Sequence, residues 1–317
     1  MAVSRTPLIA GNWKMNLDHL QSIAFVQKLA WSLRDAKHDF SEVEVAVFPP
    51  FTDLRSVQTL VTADKLDLRY GGQDLSEHDS GAYTGEVSGA FLAALDCRYV
   101  IIGHSERRQY HGETDELIAR KTAAALRHGL VPVVCVGETA DDLEQHGPSA
   151  VPVAQLGVVL AALDADADIV VAYEPVWAIG SGQAATPEQA QQVCGALRAS
   201  IAEALGDEAA ARTRILYGGS VKTSNIAGFM KHKDVDGALY VFGLDGKVRS
   251  ERVVRGLLRP NNVDIARGVM LGGQPRDVAI VAERFAHRLR VYALPGMEPV
   301  DGGGIAVFEG ERARDVM

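Results

Sequence analysis

The chain has 317 residues, 47% of them apolar and 23% charged, with a formal net charge of −9. That acidity speaks against nucleic acid as a partner, no apolar leader precedes the first strand, and runs such as Leu130 to Val136 fall far short of the roughly 20 residues that cross a bilayer. The three cysteines, Cys97, Cys135 and Cys194, are odd in number and widely separated, which fits neither a disulfide framework nor metal-ligand spacing and indicates a reducing, cytoplasmic setting.

Short apolar runs alternate with longer helical patterns, the mark of βαβ units on a parallel sheet. Eight strands are predicted, near 8–13, 44–48, 66–70, 98–103, 130–136, 169–173, 214–217 and 237–242. The first run ends in Asn12-Trp13-Lys14, and strand alternation places residues 12 and 14 on one face, toward one ligand. Asn12 is then a neutral donor and Lys14 a point charge for a phosphate or a developing oxyanion, although a lysine at a strand end also suits a solvated surface. Gln73 to Glu86, after the third strand, is a long polar loop that on length and polarity alone reads as solvated.

The fourth run ends in Gly103 and delivers His104, Ser105, Glu106, Arg107 and Arg108. Ser105 reads as a helix N-cap, and the positive end of that helix favours a neutral His104 able to donate to a carbonyl oxygen. The alternative is a histidine satisfied by backbone amides in a packed turn. A helix is predicted over Thr114 to Arg127. The sixth run, Ile169 to Tyr173, is apolar and β-branched, so Glu174 emerges where a strand buried on both faces leaves the core. Pro175 sets the exit direction, and Val176-Trp177-Ala178-Ile179 is too apolar for a solvated loop. With Gly180 and Gly182 at its far end this segment reads as a lid over a ligand, against a plain packing role for Trp177. Thr186-Pro187 starts a further helix that runs to Leu205.

Eight parallel strands with outer helices occupy about 250 residues and carry their sites at the strands' C-terminal ends. Every polar motif above lies at such an end. A doubly wound open sheet needs a Gly-rich turn after an early strand, and none occurs. The expectation is an α/β fold with the catalytic domain over residues 1–259 and an extension of unknown role over 260–317.

Gly11-Asn12-Trp13-Lys14, Gly103-His104-Ser105-Glu106-Arg107, Tyr173-Glu174-Pro175-Val176-Trp177-Ala178-Ile179-Gly180 and Leu216-Tyr217-Gly218-Gly219-Ser220-Val221 stand in the order and at about the spacing of the triosephosphate isomerase family, which the chain resembles from about Thr6 to Leu239. The resemblance implies a (β/α)8 TIM barrel that interconverts dihydroxyacetone phosphate and glyceraldehyde 3-phosphate through an enediolate, in glycolysis and gluconeogenesis, with no metal and no organic cofactor. It implies Glu174 as the base beside the carbonyl, neutral His104 as the group that polarises it, and Lys14 and Asn12 as stabilisers of the oxyanion. Glu106 is expected to support them through hydrogen bonds to Ser105 and Lys14. Phosphate is expected at the backbone of Gly180, Gly218, Gly219, Ser220 and the turn after the eighth strand, including Gly243. The loop Gln73 to Glu86 is expected to insert into a second subunit of a homodimer, with Thr84 near the partner's site.

The chain departs from the family at the eighth strand, where Val-Gly-Gly-Ala-Ser is replaced by Leu239-Tyr240-Val241-Phe242-Gly243-Leu244-Asp245. Ungapped, Val241 and Phe242 take the places of the glycine pair, whereas an insertion moves Gly243 into one of them; bulky residues there block the amides, and Asp245 opposes a phosphate dianion. An impaired or repurposed isomerase, and a noncatalytic barrel scaffold, are therefore the alternative functions. Composition changes here too: residues 1–247 contain 12 Arg and 9 Lys, whereas 248–317 contain 11 Arg and no Lys. Ser250 to Leu258 is predicted to be the closing helix, Asp277 to Leu289 a helix on the spacing of Val278, Val281, Phe285 and Leu289, and Val291 to Leu294 and Gly304 to Phe308 a pair of strands. An appended subdomain and a change of reading frame both account for the shift; a Gly-Gly-Ala-Ser in another frame of the gene distinguishes them.

Overall fold

The computed structural model describes residues 5–179, 184–221, 225–241, 260–271, 274–283, 288–293, 298–299 and 305–306. Eight parallel strands close into a barrel in chain order: β1 (Leu8–Asn12), β2 (Glu44–Phe48), β3 (Arg69–Gly72), β4 (Tyr99–Ile102), β5 (Val131–Val136), β6 (Val170–Tyr173), β7 (Arg214–Tyr217) and β8 (Gly237–Val241). Closure is made by β8 on β1, with Val241 opposite Asn12. Between the strands lie α1 (His19–Asp35), α2 (Phe51–Ala63), α3 (Gly89–Ala94), α4 (Ser105–His111) and α5 (Asp115–Arg127). The second half carries α6 (Ala140–His146), α7 (Ala150–Leu160), α8 (Pro187–Leu205), α9 (Asp207–Arg212) and α10 (Ile226–Phe229), with a 3-10 turn at Val176–Ala178. The (β/α)8 barrel expected from sequence is thus the observed architecture.

Alternation along each strand divides the core into two layers. Ala46, Phe48, Tyr99, Ile101, Val133, Cys135, Val170, Ala172 and Leu216 fill the barrel interior. Their neighbours Val45, Val47, Val100, Ile102, Val134, Val136, Val171, Tyr173 and Ile215 pack outward against the helices. Both faces are therefore apolar, which is why these strands read as continuous hydrophobic runs. Burial of each large side chain contributes roughly 1.5–3 kcal/mol. Helix starts follow local chemistry: Thr114 accepts from the Leu117 amide, and Thr186 forms a capping box with Gln189 ahead of Pro187. Such caps contribute about 1 kcal/mol each.

The third strand begins at Arg69, later than the expected 66–70. The reason is the end of α2, where Lys65 turns left-handed at φ 50° and the Leu66 amide still bonds to the Val61 carbonyl. At the N-terminal end of the barrel Arg214 donates to Glu44 (2.6 Å) and to the Tyr99 hydroxyl (2.8 Å), which in turn donates to Glu44.

Contacts divide the chain into two units, Met1–Phe242 and Gly243–Met317. In the second, β9 (Pro260–Leu271), β10 (Gln274–Glu283), β11 (Arg288–Ala293) and β12 (Glu298–Pro299) form an antiparallel sheet in the order β12-β11-β10-β9, with β13 (Ile305–Ala306) also on β11. The helix expected over Asp277 to Leu289 is corrected: Asp277 to Glu283 is strand, since Val278-Ala279-Ile280-Val281-Ala282 is an apolar, partly β-branched run whose backbone pairs on both sides. The expected strand pair in the tail is present, but it joins through Leu289 opposite Ile305, upstream of the predicted Val291 to Leu294. The helix predicted over Ser250 to Leu258 lies outside the described residues.

Candidate active site

The C-terminal ends of β1, β4 and β6 bring the polar motifs together. Glu174 follows β6 and is only 2% exposed. One carboxylate oxygen lies 2.9 Å from Nε2 of His104, and the other accepts the Ser105 amide at 2.9 Å. His104 follows Gly103, whose positive φ of 69° turns the chain out of β4. The helix cap is His104 itself, where Ser105 was expected: its Nδ1 accepts the Glu106 amide, and Ser105 becomes the first residue of α4. A ring nitrogen two residues before an unpaired helical N–H can do what a serine hydroxyl does.

That geometry sets the protonation states. Burial pushes the Glu174 pKa up, but the facing His104 ring, the Ser105 amide and Lys14 together hold it below the ordinary value. For His104, burial disfavours a charged ring, and the adjacent Glu174 carboxylate outweighs this and raises the pKa. Nδ1 nevertheless already accepts an amide hydrogen, a bond that a second ring proton would break. The neutral ring therefore carries its proton on Nε2, facing Glu174.

Lys14 does not continue the strand, which corrects the alternation expected for it. β1 ends at Asn12, and Lys14 is left-handed at φ 51°. Its amide donates to Asn12 Oδ1 at 2.9 Å, and its carbonyl accepts from Gln73 Nε2 at 2.8 Å. A left-handed lysine costs about 1–2 kcal/mol, and these two bonds hold it. Because Asn12 Oδ1 accepts the Lys14 amide, Asn12 Nδ2 is left as the donor toward a ligand. The Lys14 ammonium bonds to Glu106. Among the described residues Glu106 makes no bond to Ser105: one oxygen of its half-exposed carboxylate turns to the lysine, the other lies 3.7 Å from His104 Nδ1, and its amide donates to that nitrogen.

Asn12, Lys14, Gln73, His104 and Glu106 line a cavity of about 500 Å³ together with the exposed Met15 and Tyr110. Behind His104, Gly218 approaches Glu174 so closely that an added Cβ would stand 3.0 Å from Glu174 Cγ. Its amide donates to the Tyr173 carbonyl, and Ser220, two residues on, accepts at its own carbonyl from Asn225. Gly219 lies between them, where an added Cβ would meet the Tyr217 hydroxyl at 2.2 Å. Gly180 and Gly243 lie outside the described residues, as do Gly182 and Phe242. Val241 is described as the last residue of β8, level with Asn12.

Two groups escaped the sequence reading. Gln73 donates to the carbonyls of Lys14 and Phe48. Glu138, fully buried, accepts from both the Tyr173 hydroxyl (2.8 Å) and the Trp177 indole (2.7 Å). Burial raises the Glu138 pKa, against the pull of these two donors. A signal for Glu138 existed: Val136-Gly137-Glu138 repeats the buried-strand, glycine, polar-residue order of Ile102-Gly103-His104. Among the described residues there is no group of three or more metal-ligating side chains and no helix long and apolar enough to cross a membrane.

Residues 7–241 match the sequence model of the family described as triosephosphate isomerase. The chain is 77% identical over 235 residues to the triosephosphate isomerase of Leifsonia xyli subsp. xyli, covering 74% of this chain and 91% of that protein. It is similar to those of Saccharopolyspora erythraea (56% over 239 residues) and Mycobacteroides abscessus (57% over 239 residues), each covering 75% of this chain and 91% of the relative.

Proposed function

Because the chain belongs to the triosephosphate isomerase family, an isomerase of dihydroxyacetone phosphate and D-glyceraldehyde 3-phosphate in glycolysis and gluconeogenesis, we propose that Glu174, His104, Lys14 and Asn12 carry the proton transfer in the roles that follow. The Glu174 carboxylate removes a proton from the carbon next to the carbonyl, and the electron pair left behind moves onto the carbonyl oxygen to give an enediolate. That oxygen takes the place of the Glu174 oxygen at His104 Nε2, so the neutral imidazole donates to it. Asn12 Nδ2 and the Lys14 ammonium face the same negative charge from a buried wall, where fixed donors act most strongly. The proton of the hydroxyl on the first carbon then passes to the former carbonyl oxygen, the second carbonyl forms, and the Glu174 carboxyl returns its proton to the neighbouring carbon, which completes the exchange and restores the carboxylate. Glu106 orients Lys14. Closure of the segment after Pro175 over the intermediate excludes water and hinders loss of phosphate from the enediol.

The observation that carries this reading is the convergence of Glu174 and His104 at 2.9 Å within two residues of the strand ends. The test is steady-state isomerisation of glyceraldehyde 3-phosphate by the full chain and by Glu174→Gln. A loss of about 10³-fold is expected for the variant; equal rates would sink the assignment. A second reading is favoured by the end of the family match at Val241. It keeps the same proton-transfer groups and alters one wall of the phosphate site expected at Gly218, Gly219 and Ser220. It requires a KM well above that of a relative such as the Leifsonia xyli enzyme, measured side by side.

The same proposal includes a cytoplasmic homodimer formed through Gln73 to Glu86. Supporting it are the exposed Met15 and Tyr110 lining the cavity and Tyr83 in the loop, together with three free, buried thiols. A monomeric mass by equilibrium sedimentation at micromolar concentration would overturn the dimer.

A further inference from the structure

Gly137 directly follows β5 and packs against the base's own backbone: a Cβ there would stand 1.8 Å from the Glu174 carbonyl oxygen. On this side the chain continues the β5–β6 ladder beyond both strands. The Glu174 amide donates to the Val136 carbonyl (2.8 Å), and the Val176 amide donates to the Glu138 carbonyl (3.1 Å). Glu138 also holds Tyr173 and Trp177 through one carboxylate oxygen. The strip Val136-Gly137-Glu138 is thus the surface on which Glu174 and the root of the lid, Pro175 to Ala178, are set.

On the opposite side the strip has lost its strand neighbour. Pairing of β4 with β5 stops at Ile102 opposite Val134, because Gly103 turns the chain away into α4. The Gly137 peptide is therefore left without ladder partners, and a side chain from α7 takes their place. Gln155 Oε1 accepts the Gly137 amide at 2.8 Å, and Gln155 Nε2 donates to the Gly137 carbonyl at 3.1 Å. A carboxamide is the side-chain group that presents one acceptor and one donor side by side, as a strand does. Only one orientation of the amide satisfies both bonds, so its placement is determined.

We propose that Gln155 is a positioning residue for the isomerase reaction: by standing in for the missing strand beside Gly137, it holds the strip that sets Glu174 and the lid root. Among the described residues the hydrogen bonds of the Gln155 carboxamide go to the Gly137 peptide, through which it acts. The inference rests on the reading of Glu174 as base and of the segment after Pro175 as lid. Displacement of a base by about 1 Å can cost on the order of 100-fold in rate, so a small relaxation of the strip is visible in turnover.

The experiment compares the full chain with Gln155→Met, which keeps the length of the side chain and removes both bonds. Three quantities are read: kcat and KM for isomerisation, inorganic phosphate released per isomerisation, and the thermal midpoint. The expected result is a fall in kcat of roughly tenfold with a smaller change in KM, and a several-fold rise in phosphate released per turnover, as a misplaced lid root lets the enediolate expel phosphate. A lower midpoint with wild-type kcat and wild-type phosphate release would overturn the proposal and leave Gln155 a purely structural residue. If the methionine variant does not fold, Gln155→Glu, which retains the bond from the Gly137 amide, carries the same readouts with the same two outcomes. Failure of the underlying reading shows separately, as undiminished activity in Glu174→Gln.

Discussion

The two ends of this barrel are built from the same eight strands, yet they treat buried polar groups in opposite ways. At the N-terminal end, Arg214, Glu44 and Tyr99 satisfy one another, and Arg198 is held between Asp234 and Asp236 while also donating to the carbonyls of Ala210 and Thr213. At the C-terminal end Lys14 is held left-handed, and among the described residues the buried Glu138 Oε2 has no hydrogen-bond partner. A closed network stabilises one arrangement. The left-handed Lys14 and the unpaired Glu138 oxygen lie at the end that must receive a ligand, whereas the left-handed Lys65 only ends a helix.

Substitutions should separate the two ends cleanly. The largest expected effect is at the top: Lys14→Ala lowers kcat/KM by about 10²–10³-fold, as loss of one oxyanion-facing donor does. Its thermal midpoint stays close to that of the parent, and a collapse of both together would deny the contrast. At the bottom, Arg214→Ala leaves Glu44 only the longer cationic contact to Arg69 (3.7 Å) and lowers stability by about 1–3 kcal/mol, with kcat unchanged well below the midpoint. Denaturant titration alongside assay checks both halves of that statement.

Acid sensitivity sharpens the picture in the wall that leads to the polar loop. Burial raises the Glu113 pKa, but Lys121 (2.6 Å) and Arg107 (2.7 Å) more than offset it and hold the carboxyl below its ordinary value of 4.5. A pKa lower in the folded state than in the unfolded one gives stability that is present above about pH 4.5 and is lost as pH falls through the folded value. Asp74, whose pKa burial raises, works in the opposite sense in the same cluster. The midpoint of the parent should thus fall more steeply below pH 4.5 than that of Glu113→Gln, in which only the Asp74 contribution remains; parallel curves would contradict it. The smallest effect is at the exit of α2, where Lys65 is left-handed with no catalytic duty. Lys65→Gly is expected to stabilise the fold by roughly 0.5–1 kcal/mol, read as a rise of a few degrees in the midpoint. The same change at Lys14 should abolish activity.

The amino-acid sequence by itself determined the barrel and most of its site. Each strand must be apolar on both faces, which writes a short continuous run that needs no tertiary knowledge to read, and Asn12, His104 and Glu174 stand out as polar residues at the ends of such runs. Thr114 and Thr186 marked their helices because a cap is a bond between near neighbours. In the second unit the apolar residues from Val278 to Ala282 fit either period, and pairing with β9 and β11 chose strand over helix. Only the tertiary structure decided how the site is held. The left-handed turn of Lys14 depends on Gln73, 59 residues away; the latch on Trp177 depends on Glu138, 39 residues back; and Gln155 meets Gly137 from the next helix but one, 18 residues on. Such contacts join single polar groups across the fold, and a lone glutamine or glutamate carries no periodicity by which its partner could be found in advance.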